Sequence, residues 1–319
     1  MPTFQIQHIT RYAYDRPVKE NISQVRIFPL EDENQTLISS ELQITGSPKI
    51  EHSIDYFGNK VGEFSLMRPH QELSIDSRFV VHTRDNWSPP GRLEITTQEV
   101  ENSIQTSLQL IWLSEPEKIA SQHIIKQLLF ETDISHRPVV EIAEACCAYI
   151  FHNFTYKKGI TTVETTVDEI LEHKSGVCQD FAHVLLQMLR TIGLPARYVS
   201  GYVCPNKSGM RGEGATHAWV EYYLPGTGWV GLDPTNNVFA GPYHVRLATG
   251  KDFADCTPVK GAFKGLAHQV LSVFVSVGYE DGHVFEEMSD VEQQFADVEG
   301  TEPWQDDLIA KQQQQQQQQ

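Results

Sequence analysis

SGVCQDFAHVLLQMLR, residues 175–190, decides how the rest of the chain is read. Phe181, Ala182, Leu185, Leu186, Leu189 and Ile192 recur three or four apart, which predicts a helix with one buried stripe. Gly193 and Pro195 follow, as residues that stop a helix commonly do. Cys178 therefore stands at or just before the first turn. Unpaired N–H groups and the helix dipole there favour an anion, so the thiol is expected to ionise more readily than a free one. A thiolate on a helix N-terminus is one recurrent way to make a nucleophile.

Two later segments offer partners. His217 lies in ATHAWVEYYL and Asp233 in GWVGLDPTNN, both strand-like and joined by the turn Leu224-Pro225-Gly226-Thr227-Gly228. His217 is the candidate base, with small neighbours Thr216 and Ala218. His217, Trp219, Glu221 and Tyr223 share one strand face; Ala218, Val220, Tyr222 and Leu224 share the other. Asp233 ends its strand before Pro234, where a carboxylate can turn back to orient an imidazole. A symmetric hairpin about 225–228 pairs 217 with 236 and 233 with 220, leaving Asp233 diagonal to His217. A shifted register or a bulge is needed, and Gly226, Gly228 and Gly231 permit one. For the oxyanion, the Cys178 N–H is one donor; Tyr156 or Gln179 are candidates for a second, with Trp219 beside the cleft. Asp180 reads as a first-turn carboxylate complementing the dipole, and His183 as a core residue.

Before residue 114 the pattern changes. Residues 1–113 alternate as strands, with Phe4, Ile6 and His8 on one face, and no long helical pattern; RLEITTQEV and SLQLIWL are read as strands too. The expectation is an antiparallel β-sandwich over 1–114, then an α+β domain over 115–289, then an acidic, Gln-rich disordered tail over 290–319. Helices are predicted in PEKIASQHIIKQLLFET, from Pro138 onward, and near 167–173. The Asp55–Asn59 step reads as a hairpin turn.

Composition sets the outer bounds. The 319 residues are 40% hydrophobic and carry a net charge of -17, which argues against nucleic acid and anionic membrane as partners. The N-terminus lacks the features of a signal peptide and no run spans a membrane, so the expected compartment is the cytoplasm. Five cysteines show no zinc or disulfide spacing; Cys146, Cys147, Cys204 and Cys256 read as buried small hydrophobes. No cofactor, calcium or other metal site is expected. The expected partner is a peptide or protein substrate, and the sequence carries no signal for oligomeric state.

SGVCQDFAHVLLQMLRTIGLPARYVSGYV, THAWVEYYLPGTGWVGLDPTNN and the upstream FTYKKGITTVETT resemble the transglutaminase-like superfamily, whose fold is similar to that of papain. HITRYAYDRPVKENISQVRIFPL is similar to the β domain that precedes the catalytic domain in bacterial members. The resemblance covers about residues 1–280. It implies a triad of Cys178, His217 and Asp233, and acyl transfer from an amide through a thioester to water or to an amine. Alternatives are an inert peptide-binding module of the same fold and an acyltransferase with a thioester donor. Thr216 stands where relatives usually carry Ser, and GKDF at 250–253 where they carry Gly-Arg-Asp-Tyr. If that loop borders the cleft, Lys251 loses a bidentate grip that Arg provides.

Overall fold

The computed structural model describes residues 2–84, 89–91, 93–133, 137–160, 165–204, 210–212 and 215–279, and the backbone of 284–292. The first five strands are β1 Thr3–Val25, β2 Gln35–Ile44, β3 Glu51–Ile54, β4 Lys60–Leu66 and β5 His70–Thr83. Helices follow: α1 Thr97–Ile104, α2 Leu108–Ser114, α3 Gln122–Glu131 and α4 Val139–Asn153. Next come β6 Thr155–Tyr156, α5 Val167–His173, β7 Ser175–Gly176 and α6 Cys178–Thr191. The chain continues as β8 Ala196–Val203, β9 Thr216–Leu224, β10 Gly228–Asp233, β11 Val238–Phe239, β12 His244–Gly250 and α7 Phe253–Cys256. It closes with β13 Val259–Lys264, β14 Gln269–Tyr279 and β15 Val284–Glu292.

β1 organises the first layer. Phe4, Ile6, His8, Thr10, Tyr12 and Tyr14 alternate inward, as the period-two pattern requires. Its first half pairs with β5 on one side and β14 on the other. Beyond the irregularity near residues 14–18 it changes partners and pairs with β4 and β13. One long strand thus serves two half-sheets that enclose a common core of Phe4, Ile6, Val25, Ile75 and Phe79. The α+β expectation with an N-terminal antiparallel β region agrees with this architecture.

The second sheet runs β11-β10-β9-β8-β12. One face of β9, made by Ala218, Val220, Tyr222 and Leu224, packs with α6 and α4 in a separate core. β12 is the sheet's edge, and unpaired edge backbone is a hazard unless covered. Two side-chain amides from the first layer cover it. Gln35 donates to the Arg246 carbonyl at 2.8 Å and accepts its N–H at 2.9 Å. Asn59 does the same for Thr249, at 2.7 and 2.8 Å. The bulge between Arg246 and Ala248 lets positions three apart both face outward. Arg246 also bridges Asp32 of the first layer and the buried Glu221 of β9. Asn59 therefore does more than close the Asp55–Asn59 turn, which Gly58 completes at φ 86°.

Three expectations are corrected. The segments around 97–114 are helices, not strands. Thr96 and Glu99 form a reciprocal capping box and Ser107 accepts the Leu110 N–H; Val100 and Ile104 then bury at helical spacing. Residues 116–120 remain outside α3, since Gln187 of α6 holds both backbone groups of Glu117, at 3.0 and 2.7 Å. The third correction concerns the division of the chain. β13 and β14, placed by order in the 115–289 domain, pair with β1 instead. β15 pairs with β14 and runs to Glu292, past the expected start of the tail at 290. The remainder of that tail, 293–319, lies outside the described residues.

Candidate active site

The start of α6 is set by five consecutive residues. Val177 is extended, at φ -118° and ψ -173°, so Cys178 is the first helical residue. The Asp180 carboxylate folds back to accept the Val177 N–H at 2.8 Å, which satisfies one donor that a helix start leaves unpaired. That fold-back needs room at residue 176. A Cβ there would stand 2.3 Å from Asp180 Oδ2, so only glycine fits. Asp180 thus complements the helix start, as its position in the first turn suggested.

The β9–β10 hairpin brings His217 and Asp233 together by its register. Pro225 and Gly226, at φ 77°, form a turn in which the Thr227 N–H reaches the Leu224 carbonyl at 3.2 Å. Leu224 then pairs with Gly228 and Val220 with Leu232, one residue off the symmetric register. A one-residue slip exchanges faces. Asp233 therefore falls opposite Trp219, on the face that carries His217, and no bulge is needed. Asp233 Oδ2 lies 2.8 Å from His217 Nε2.

Asp233 is buried and saturated with donors. Oδ2 accepts from His217, from Asn236 Nδ2 at 2.7 Å and from His244 Nε2 at 3.3 Å. Oδ1 accepts the N–H groups of Thr235 at 2.9 Å and Asn236 at 3.3 Å. Burial alone would raise its pKa, but His217, by charge and hydrogen bond, and then the hydrogen bond from His244 outweigh that and hold the carboxyl far below its usual range. For His217 burial opposes the charged ring. Asp233 and then Cys178 prevail, by charge and by hydrogen bond, raising it from 6.5 to about 10. With Nε2 committed to Asp233, Nδ1 is the ring nitrogen left for the Cys178 sulfur. Gly212 lies along that edge at φ 79°, and a Cβ on it would stand 2.9 Å from Nδ1. Cys178, His217 and Asp233 are 2%, 1% and 0% exposed, so the grouping is sheltered.

The other expected residues divide. Trp219 is fully buried and backs the imidazole, its ring stacked on His217 with centroids 6.3 Å apart. Gln179 is buried beside Cys178, its carbonyl oxygen without a hydrogen bond. Tyr156 is half-buried against Phe181, with the Arg211 guanidinium 5.8 Å from its ring centre. His183, read as a core residue, is half-buried beside Tyr198, with ring centres 5.4 Å apart, and burial lowers its pKa. Cys146, Cys147, Cys204 and Cys256 are buried; burial raises Cys146 to about 12 and the other three thiols well above the ordinary range. Lys251 of the GKDF segment lies over the Trp112 ring at 4.5 Å and donates to the Trp112 carbonyl at 3.2 Å, so its ammonium does not face Cys178.

Two contributors were not foreseen. Asn236 bridges Asp233 to the Arg211 backbone, accepting its N–H at 2.7 Å and donating to its carbonyl at 3.2 Å. The Asp-Pro-Thr-Asn run is a typical side-chain-to-backbone turn and was the available signal. His244 had no local signal, because it reaches Asp233 only after the excursion through β11. A cleft on its far side, lined by Gln35, Arg84, Trp229 and Arg246, contains none of the three central residues. Among the described residues no helix is long and apolar enough to cross a membrane.

The profile of the transglutaminase-like superfamily matches residues 126–234, and that of the bacterial transglutaminase-like N-terminal region matches residues 4–82. An uncharacterized protein of Mycobacterium leprae is 30% identical over 282 residues, spanning 86% of this chain and 97% of its own. The protein-glutamine gamma-glutamyltransferase of Pseudomonas aeruginosa is 36% identical over 90 residues, 27% of this chain and 14% of its own. Among solved structures, a candidate cysteine protease from Cytophaga hutchinsonii superposes with a TM-score of 0.65 at 21% identity, over 92% of each chain, a likeness of fold. With its Cys, His and Asp segments inside the matched core and its β region inside the matched N-terminal profile, the chain belongs to the transglutaminase-like superfamily.

Proposed function

We propose that the chain is a cysteine enzyme that acts on amide bonds of a peptide or protein through Cys178, His217 and Asp233. The observation that carries the reading is the fully satisfied Asp233 carboxylate, which holds one nitrogen of His217 and leaves Nδ1 for the Cys178 sulfur, whose charge adds to that of Asp233 in raising the pKa of the ring. An imidazolium fixed between a carboxylate and a sulfur favours the thiolate form of its partner.

In this reading the sulfur attacks the amide carbon and forms a C–S bond. Negative charge moves to the carbonyl oxygen, where the Cys178 N–H at the helix start is a donor. His217 gives its proton to the departing amine as the C–N bond breaks, leaving a thioester. His217 then takes a proton from water or from an acceptor amine, whose attack on the thioester breaks the C–S bond, releases the product and restores the thiolate beside the imidazolium. Water gives hydrolysis or deamidation; an amine gives transamidation, the chemistry for which the Pseudomonas relative is named. The five cysteines are buried and none is in a disulfide, which supports a reducing compartment such as the cytoplasm.

The test is a peptide library offered with a primary amine and read by mass for cleaved, deamidated and amine-coupled products. One of these should accumulate with wild type and vanish with Cys178→Ala. Peptide binding without any product, equal in both proteins, would instead support an inert module. An acyl adduct on Cys178 from a thioester donor alone would support the acyltransferase alternative.

A further inference from the structure

We infer that His244 is a positioning residue for this site: it holds the Asp233 carboxylate through Nε2–H and ties it to a loop fastened by the N-terminal sheet. The inference rests on the proposed role of Asp233 and goes beyond it, since it gives the β region a part in setting the site.

The tautomer follows from the hydrogen bonds. The Gly241 N–H donates to His244 Nδ1 at 3.2 Å, so Nδ1 is an acceptor and the neutral ring carries its hydrogen on Nε2. That hydrogen points to Asp233 Oδ2, 3.3 Å away and fully buried. The same oxygen accepts from His217. Trp219 completes the arrangement, stacked on one imidazole and edge-on to the other at 5.2 Å. Two rings of the same type thus share one carboxylate oxygen.

The loop before His244 is fastened from three directions. The Ala240 N–H donates to the Gly231 carbonyl at 2.9 Å, inside the hairpin's own sheet. The Cys204 N–H donates to the Tyr243 carbonyl at 2.8 Å. Thr83, the last residue of β5, donates through its hydroxyl to the Pro242 carbonyl at 2.8 Å, and Phe4 of β1 meets the Tyr243 ring edge-on at 6.2 Å. The last two contacts come from the N-terminal sheet. A shift of that sheet would therefore move His244 and, through it, the carboxylate that orients His217.

Two substitutions separate a hydrogen-bonding role from a packing role. His244→Phe keeps a ring against Trp219 and removes the donor. His244→Gln keeps a donor near the Nε2 position and removes the ring. The rate of Cys178 alkylation by iodoacetamide at pH 7 is read by mass for the full chain. Loss of a hydrogen bond to a charged group should slow His244→Phe about tenfold, and His244→Gln should recover most of that rate. The reverse order, with Phe like wild type and Gln slowed, overturns the inference.

A second readout does not depend on Cys178 reactivity. With 15N-histidine labelling, His244 should appear as the Nε2–H tautomer in wild type, and its signals should move in Asp233→Asn. An Nδ1–H tautomer, or signals indifferent to Asp233, overturns the inference even if Cys178 proves reactive. If instead wild-type Cys178 alkylates as an ordinary thiol while His244 shows the Nε2–H tautomer coupled to Asp233, the proposed chemistry fails and the positioning contact stands.

Discussion

The two halves of the site are built in opposite ways. The Cys178 half is local: Gly176, Val177 and Asp180 fix the start of α6 within five residues. The Asp233 half is assembled from afar, with donors from β9, from the 234–236 turn and from the start of β12. A local device can be changed at one position and disturb only its own end. A shared carboxylate cannot, because every group that leans on it loses its acceptor. The comparison teaches that Asp233, rather than Cys178, should be the structural weak point.

The largest expected effect follows directly. Asp233→Ala leaves buried donors without an acceptor and should cost about 3–5 kcal/mol of stability in urea unfolding, with turnover lost. Cys178→Ala should change stability far less. Equal stabilities would erase the contrast between the halves.

The pH dependence sharpens it. His217 rises from 6.5 to about 10 on folding, so its contribution is complete below about pH 6.5 and is lost as pH climbs towards 10. Asp233 is depressed from 3.8, so its contribution is complete above that value and is lost as pH falls below it. The pair should therefore stabilise most between about pH 4 and 6.5, and Asp233→Asn should flatten the alkaline decline. A wild-type urea midpoint level from pH 6.5 to 9.5 contradicts this.

Gly176→Ala tests the local half. Its Cβ would stand 2.3 Å from Asp180 Oδ2, and relieving that clash should cost about 1–3 kcal/mol. Cys178 alkylation should slow while the His217 titration stays in place; a shifted His217 midpoint would show that the halves are not separable. The smallest effect is expected far from both. Ser107→Ala removes the cap of α2 and should cost about 1 kcal/mol with alkylation unchanged.

The same contrast explains what the sequence disclosed. The Cys178 helix was legible because apolar spacing, a flanking glycine and a stop signal all lie within 20 residues. The strands of His217 and Asp233 were legible as strands, but their register depended on a turn whose three-residue loop shifts the pairing by one. Asn236 was open to reading from the turn residues beside Asp233. His244 was not, because its partner is fixed only after β11 folds back. In the α1 and α2 segments apolar alternation competes with the capping signals of Thr96, Glu99 and Ser107, and the caps decide the structure. The pairing of β13 and β14 with β1 joins residues more than 230 apart, beyond the reach of any local pattern.

The most direct measurement of the central claim is iodoacetamide alkylation of the intact protein, followed residue by residue from pH 5.5 to 9.5. Cys178 should react selectively, ahead of Cys146, Cys147, Cys204 and Cys256, and His217→Ala should remove that advantage. A Cys178 rate that is unchanged in His217→Ala, or that is matched by Cys204 in the wild type, would contradict the account.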